Sequence, residues 1–230
     1  MICIFGPTAV GKTKLAVAVA RKVGGEIISA DSRQVYRRMD IGTGKDLADY
    51  EEVPYHLVDV AEPGEEYNLF RFQQDFIKAY EDILSRERKV VLCGGTGLYI
   101  DAVLRRYRLV EAPENEQLRH ELVAHSLEQL VERLAKLRPL HNKTDTEDRE
   151  RAIRAIEIAL AEDALPDEAG RVPEIDYRAF LLELPREMVR ERITLRLHER
   201  LKEGMVQEVE GLLTDGVPAE RLMAYGLEYR

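Results

Sequence analysis

Eight residues near the start of the chain, Gly6-Pro7-Thr8-Ala9-Val10-Gly11-Lys12-Thr13, satisfy the pattern GxxxxGK[ST]. They stand between a short apolar run, Met1 to Phe5, and a stretch with helical spacing. In that setting, backbone N–H groups at a helix N-terminus cradle a di- or triphosphate, Lys12 neutralises its oxygens, and the Thr13 hydroxyl reaches Mg2+. The pattern implies a phosphate site without naming the compound, because kinases, GTPases and other transferases share the cradle.

Four further groups of residues carry chemistry beside a bland alternative. In Ile27-Ile-Ser-Ala-Asp31-Ser-Arg-Gln-Val-Tyr36 an apolar strand runs out into a polar segment led by Asp31, which should face the phosphate loop if the sheet is open and parallel. There the carboxylate is either a general base or a helix N-cap followed by Ser32. In Cys93-Gly-Gly-Thr96-Gly-Leu-Tyr99 two glycines permit a sharp turn that puts the Thr96 hydroxyl at the same edge, a weak signal alone. Arg192, Arg196 and Arg200 recur every four residues, opposite Val189, Ile193, Leu197 and Leu201, so one helix face is cationic. It is either a phosphate clamp or a surface paired to Glu191, Glu199 or Glu203. Asp59 either holds Mg2+ through water or caps a strand. Neither the two cysteines nor the five histidines show metal-ligand spacing.

The elements that must position these groups read as alternating strands and helices. Apolar runs at Met1 to Phe5, Glu26 to Ser29, Tyr55 to Val60, Lys89 to Cys93 and Ala179 to Leu184 are expected strands, the inner ones too continuous for a sheet with one wet face. A first helix is expected to present Leu15, Val17, Ala18, Val19 and Val23 and to stop at Gly24-Gly25. A second runs from about Asn68, its N-cap, to Arg86. The fold class is therefore α/β, a P-loop NTPase-like parallel sheet covered by helices on both faces. Residues 1–110 and 165–230 form this core. Between them, 110–165 reads as a small all-helical insertion with helices at about Glu114 to His125, Ser126 to Leu137 and Thr144 to Ala161, the last opening on the capping-box pattern Thr144-x-x-Glu147.

The chain has 230 residues and is 45% hydrophobic, which excludes disorder and leaves room for one α/β domain with an appendage. No apolar run is long enough to cross a bilayer and no charged, cleavable leader precedes the first strand, so a cytoplasmic protein without membrane contact is expected. Cys3 and Cys93 sit in apolar runs as small buried hydrophobes. The first 110 residues carry 16 Lys and Arg against 16 Asp and Glu, so the whole net charge of −9 lies beyond them. A nucleic-acid partner would need local basic patches. Arg33, Arg37, Arg38 with Lys45, and Arg105, Arg106, Arg108, are the candidates, solvated surface being the default.

In order along the chain, the blocks GPTAVGKT, IISADSRQVYRRMDIGTGK, HLVDVAEPGEEY, GGTGLYI, DRERAIRAIEI and RITLRLHERLKEGMVQEV closely resemble the bacterial tRNA dimethylallyltransferases, also called tRNA isopentenyltransferases. The resemblance implies transfer of a dimethylallyl group from dimethylallyl diphosphate to N6 of the adenosine on the 3′ side of the anticodon in tRNA, with Mg2+. It implies that Gly6 to Thr13 hold the diphosphate, with Thr13 toward the metal. Asp31 would accept the N6 proton, Thr96 would fix the amine, and Arg196 would clamp the leaving group beside Arg192. Asp31, Ser32, Arg33, Gln34, Thr96 and Arg119 would touch tRNA, and the insertion would hold the anticodon stem.

Family members usually continue past Tyr225-Gly-Leu-Glu-Tyr-Arg230 into further helices and carry a longer insertion. The chain thus reads as a fragment or trimmed variant, expected to act as a monomer. An adenylate dimethylallyltransferase, a P-loop small-molecule kinase and a non-catalytic nucleotide switch are the competing readings.

Overall fold

A computed structural model describes residues 1–140, 144–166, 169–226 and 229, with the side chains of residues 144 and 145 outside the described set. The chain divides into two compact units, one of Met1–Arg106 with Pro173–Arg230, the other Tyr107–Val172.

The first unit is built on five parallel strands, β1 (Ile2–Phe5), β2 (Gly25–Ser29), β3 (Tyr55–His56), β4 (Lys89–Gly94) and β5 (Arg178–Leu181), in the order β3-β2-β4-β1-β5. Helix α1 (Lys12–Val23) packs through Ala16, Val17 and Ala20 on Ile4, Ile27, Val91 and Cys93. The alternate residues Cys3, Ile28, Val90 and Leu92 are equally buried, so they face the other side, where α2 (Leu69–Ser85) packs on β2 and β4. The sheet is thus covered on both faces, the P-loop NTPase-like arrangement expected. Asn68 caps α2 by accepting from Arg71 N–H at 3.0 Å, as its sequence position predicts.

Three expectations change. Helix α1 turns the small side chains Ala16 and Ala20 with Val17 inward and leaves Leu15, Ala18 and Val23 exposed, because small residues let the helix lie close to the sheet. The run Tyr55 to Val60 pairs only at its first two residues, since Leu57 (φ 62°) and Asp59 (φ 56°) take left-handed backbone that no strand accommodates. The helix expected over Thr144 to Ala161 is two, one at Thr144–Glu147 and one at Arg149–Asp163, and Asp148, accepting from Arg151 N–H at 3.0 Å, caps the second. The Thr144 side chain of the expected capping box lies outside the described residues.

Numbering continues with α3 (Gly97–Leu104), α4 (Glu116–Leu122), α5 (Leu127–Leu137), α6 (Thr144–Glu147), α7 (Arg149–Asp163), α8 (Arg186–Glu203), α9 (Met205–Thr214) and α10 (Ala219–Tyr225). The second unit has its own core, Leu118, Leu122, Leu130, Leu134, Ala152, Ala155, Ile156 and Ala159, from α4, α5 and α7. It extends to residues 107 and 172 because the segment after α7 folds back on its start. Leu109 N–H donates to Gly170 O at 2.8 Å, and the Arg108 guanidinium reaches the carbonyls of Glu162 (2.6 Å), Leu165 (2.8 Å) and Pro166 (3.1 Å). Among the described residues no helix is long and apolar enough to cross a membrane.

Candidate active site

The carboxyl ends of β1, β4 and β2 lie side by side, and each releases a polar loop at the same edge of the sheet. After β1 the phosphate loop turns through left-handed Ala9 (φ 65°) and Gly11 (φ 90°) into α1, whose first residue is Lys12. The Lys12 Nζ donates to Pro7 O at 2.7 Å. The loops after β2 and β4 are laced together, Ala30 N–H donating to Cys93 O at 2.8 Å and Thr96 N–H to Ala30 O at 3.1 Å. This closeness requires Gly94, where a Cβ would stand 2.1 Å from the Ala30 carbonyl oxygen.

The lacing places Asp31 beside the phosphate loop. Its Oδ1 accepts Arg33 N–H at 2.9 Å, a local turn that leaves the second oxygen for other work. A cavity of about 250 Å³ is walled by Thr8, Ala9, Lys12, Thr13, Asp31 and Arg196, with Arg33, Gln34 and Arg200 also on it. Arg192 stands on a neighbouring groove with Gly11, Lys12, Thr13 and Arg196, its Nη1 3.3 Å from Ala9 O. Gly6, Pro7 and Val10 shape the loop without lining the cavity.

Three expected residues sit differently. The Thr96 hydroxyl accepts Ser32 N–H at 2.9 Å and donates to Ser32 Oγ at 3.2 Å, so it braces the Asp31 loop and is not on the cavity wall. Ser32 is likewise behind the wall. Arg119 belongs to the other unit, where its guanidinium grips the buried Glu157 carboxylate at 2.7 and 3.0 Å and Glu114 at 3.1 Å.

Helix α8 shows which side of the arginine stripe is covered. Its apolar side, Ile193, Leu197 and Leu201, is exposed, and Arg200 is its one buried residue among those described. The cationic face is therefore the one that packs. Arg196 donates to Gly44 O at 3.1 Å and Asp46 Oδ2 at 2.9 Å, and Arg200 to Gly42 O at 3.1 Å.

The sequence reading missed the strap Ile41-Gly42-Thr43-Gly44-Lys45 that these arginines grip. Its Gly42, Thr43 and Gly44 line the cavity, and a Cβ on Gly44 would run into the Arg200 and Arg196 guanidinium groups. From the far side the Glu208 carboxylate accepts the N–H groups of Asp40 (2.7 Å), Ile41 (2.8 Å) and Gly42 (3.0 Å). Lys45, expected in a surface patch, is buried, bonding Tyr36 O at 2.5 Å and the carboxylates of Asp40 and Asp59. Asp59 is thus the counter-ion of a buried amine. Of the rest of that patch, Arg37 pairs with Glu62 and Arg38 with Asp215, while Arg33 donates to Ala224 O at 3.1 Å and borders the cavity. A glycine pair four residues after an arginine pair was the available signal.

Burial pushes the Lys12 ammonium below its ordinary value and Arg196 adds to the push, while the charge of Asp31 opposes it. An incoming anion would relieve that strain, which is what a phosphate site requires. Burial raises both thiols to about 12, so Cys3 and Cys93 are neutral. No cluster of three metal-ligating side chains occurs among the described residues.

The comparisons with known proteins cover the whole chain. Residues 1–53 match the family description "Isopentenyl transferase" and residues 34–230 match "IPP transferase". A tRNA dimethylallyltransferase of Porphyromonas gingivalis is 54% identical over all of this chain and 78% of its own length. The chain belongs to the tRNA dimethylallyltransferase family. Another member, from Geotalea daltonii, is 53% identical over all of this chain and 75% of its own length. Among solved structures, a tRNA isopentenylpyrophosphate transferase of Bacillus halodurans superposes with a TM-score of 0.64 at 33% identity, covering 94% of this chain and 70% of that one. A eukaryotic dimethylallyltransferase acting on tRNA superposes with a TM-score of 0.77 at 24% identity, covering 97% and 59%, which supports the fold.

Proposed function

We propose that this chain transfers the dimethylallyl group of dimethylallyl diphosphate to N6 of the adenosine on the 3′ side of the anticodon in tRNA. The observation that carries the reading is that Lys12 of the phosphate loop and the Asp31 carboxylate open on one cavity. N6 attacks the allylic carbon, the carbon–oxygen bond breaks, and its electron pair leaves with the diphosphate. An exocyclic amine is a weak nucleophile, and Asp31 would take the proton it sheds. Lys12, the loop N–H groups and Arg196 would absorb the charge that grows on the departing diphosphate. The Thr13 hydroxyl suits Mg2+ held mainly by diphosphate oxygens and water, a site that needs no cluster of carboxylates, and the ion would neutralise the leaving group. Thr96 supports the reaction through Ser32, by holding the Asp31 loop.

The test is incubation with Mg2+ and dimethylallyl diphosphate, offering either unmodified tRNA or AMP. Prenylated adenosine is expected in tRNA alone. Product on AMP alone, or transfer of phosphate in place of the prenyl group, would overturn the reading.

A further inference from the structure

Tyr50 ends a single turn of 3-10 helix, Leu47–Tyr50, that follows the glycine strap. Only 4% exposed, its ring lies in the core formed by Ala16, Val17, Ile27 and Val91 and packs tilted against Tyr55 with centroids 4.4 Å apart. Arg21 of α1 pins the next residues, bonding the carboxylates of Glu51 and Glu52 at 2.7 Å each, so the ring has one place to be.

A tyrosine buried this deeply ordinarily hydrogen-bonds its hydroxyl, because an unmatched polar group in the core is costly. No described residue hydrogen-bonds the Tyr50 hydroxyl. Yet Tyr50 forms part of the wall of the cavity that holds Lys12, Thr13 and Asp31. The ring is enclosed in hydrocarbon, so the hydroxyl is the group it can offer there. Burial raises the phenol well above its ordinary value of 10, and the charge of Asp31 acts in the same direction, so it remains a donor at neutral pH.

We infer that Tyr50 is a further substrate-contacting residue, its O–H donating to an oxygen of the diphosphate cradled by Lys12 and the phosphate loop. The inference rests on the diphosphate reading above and adds a residue outside every motif that led to it. A donor with no protein acceptor, opening on a cavity lined by cations, suits an anion rich in acceptors.

Tyr50→Phe removes the hydroxyl while keeping the ring, its contact with Tyr55 and its burial. Titration calorimetry with inorganic pyrophosphate and Mg2+ should show affinity weakened about tenfold, the size of one hydrogen bond to a charged group. The KM for dimethylallyl diphosphate should rise with it, while the KM for tRNA and the thermal midpoint stay put. Tyr55→Phe, whose hydroxyl is off the cavity, should change none of these. Wild-type affinity for pyrophosphate in Tyr50→Phe, a shift confined to the KM for tRNA, or an equal loss in Tyr55→Phe would each overturn the inference. Failure of the underlying reading shows separately, as a wild-type protein that prenylates no tRNA.

Discussion

Strand β2 carries an acid near its start and another just past its end, and the two are treated in opposite ways. Glu26 is buried and saturated. Arg86 grips both its oxygens, His56 Nε2 lies 2.8 Å from Oε2, and Asp82 holds the far side of Arg86 at 2.6 Å. Asp31, five residues on and ~16 Å along an extended chain, accepts one backbone N–H and has no cation within ion-pair distance among the described residues. The cations near it are directed to carbonyls instead, Lys12 to Pro7 O and Arg196 to Gly44 O, the latter with exposed Asp46 as well. A carboxylate that only holds the fold is closed off by its partners. One proposed to take a proton has an oxygen free of protein partners, and the cations near it are not spent on it.

The largest effect that could break this contrast comes from exchanging each acid for its amide. Asp31→Asn retains an oxygen for the Arg33 N–H, so the loop should keep its shape and the thermal midpoint should hold. Prenyl transfer should nonetheless fall by about 10²–10⁴-fold, the usual worth of a positioned base. Glu26→Gln should do the reverse, lowering the midpoint through weakened charge-assisted hydrogen bonds and leaving turnover per folded molecule unchanged. Steady-state rates and thermal melts on both variants decide it, and unchanged turnover in Asp31→Asn would remove the base.

Next in size are the two arginines. On the proposed mechanism Arg196→Ala takes away a charge needed most as the diphosphate departs, so kcat should drop by about 10²-fold while the fold persists. Arg86→Ala opens the other end of the strand and should cost stability alone. Loss of stability without loss of kcat in Arg196→Ala would make the stripe a structural device.

The positions of these groups were unequally legible in the sequence. The phosphate loop, the strand preceding Asp31 and the cap at Asn68 follow from local patterns of a few residues, and the described geometry puts Lys12, Asp31 and Arg196 on one cavity. The face of α8 was harder to read, because amphipathic spacing says which residues share a side and not which side is covered. Its leucines are exposed and Arg200 is buried. Lys45 shows the same limit. A lysine among arginines reads as surface, and only the tertiary approach of Asp40 and Asp59 makes its burial tolerable. Tyr50 had no signal, since a single aromatic after a charged turn is indistinguishable from core until its hydroxyl is found without a partner.

The finest test is the pH dependence of stability. Burial alone would raise the Glu26 carboxyl, but hydrogen bonds from Arg86 and His56, with their charges, outweigh it and hold it below its ordinary 4.5. A carboxyl lowered in the folded state binds fewer protons there than in the unfolded chain, so it stabilises the fold above the unfolded value. That contribution drains as pH falls from about 4.5 through the lower folded value. Denaturant midpoints measured from pH 7 down to pH 3 should therefore fall more steeply for the wild type than for Glu26→Gln, which has no proton to take up at that site. The two curves should converge at the acid end. A curve for Glu26→Gln that runs parallel to the wild type would mean that Arg86 and His56 do not lower Glu26, and the contrast between the strand's two acids would then rest on burial alone.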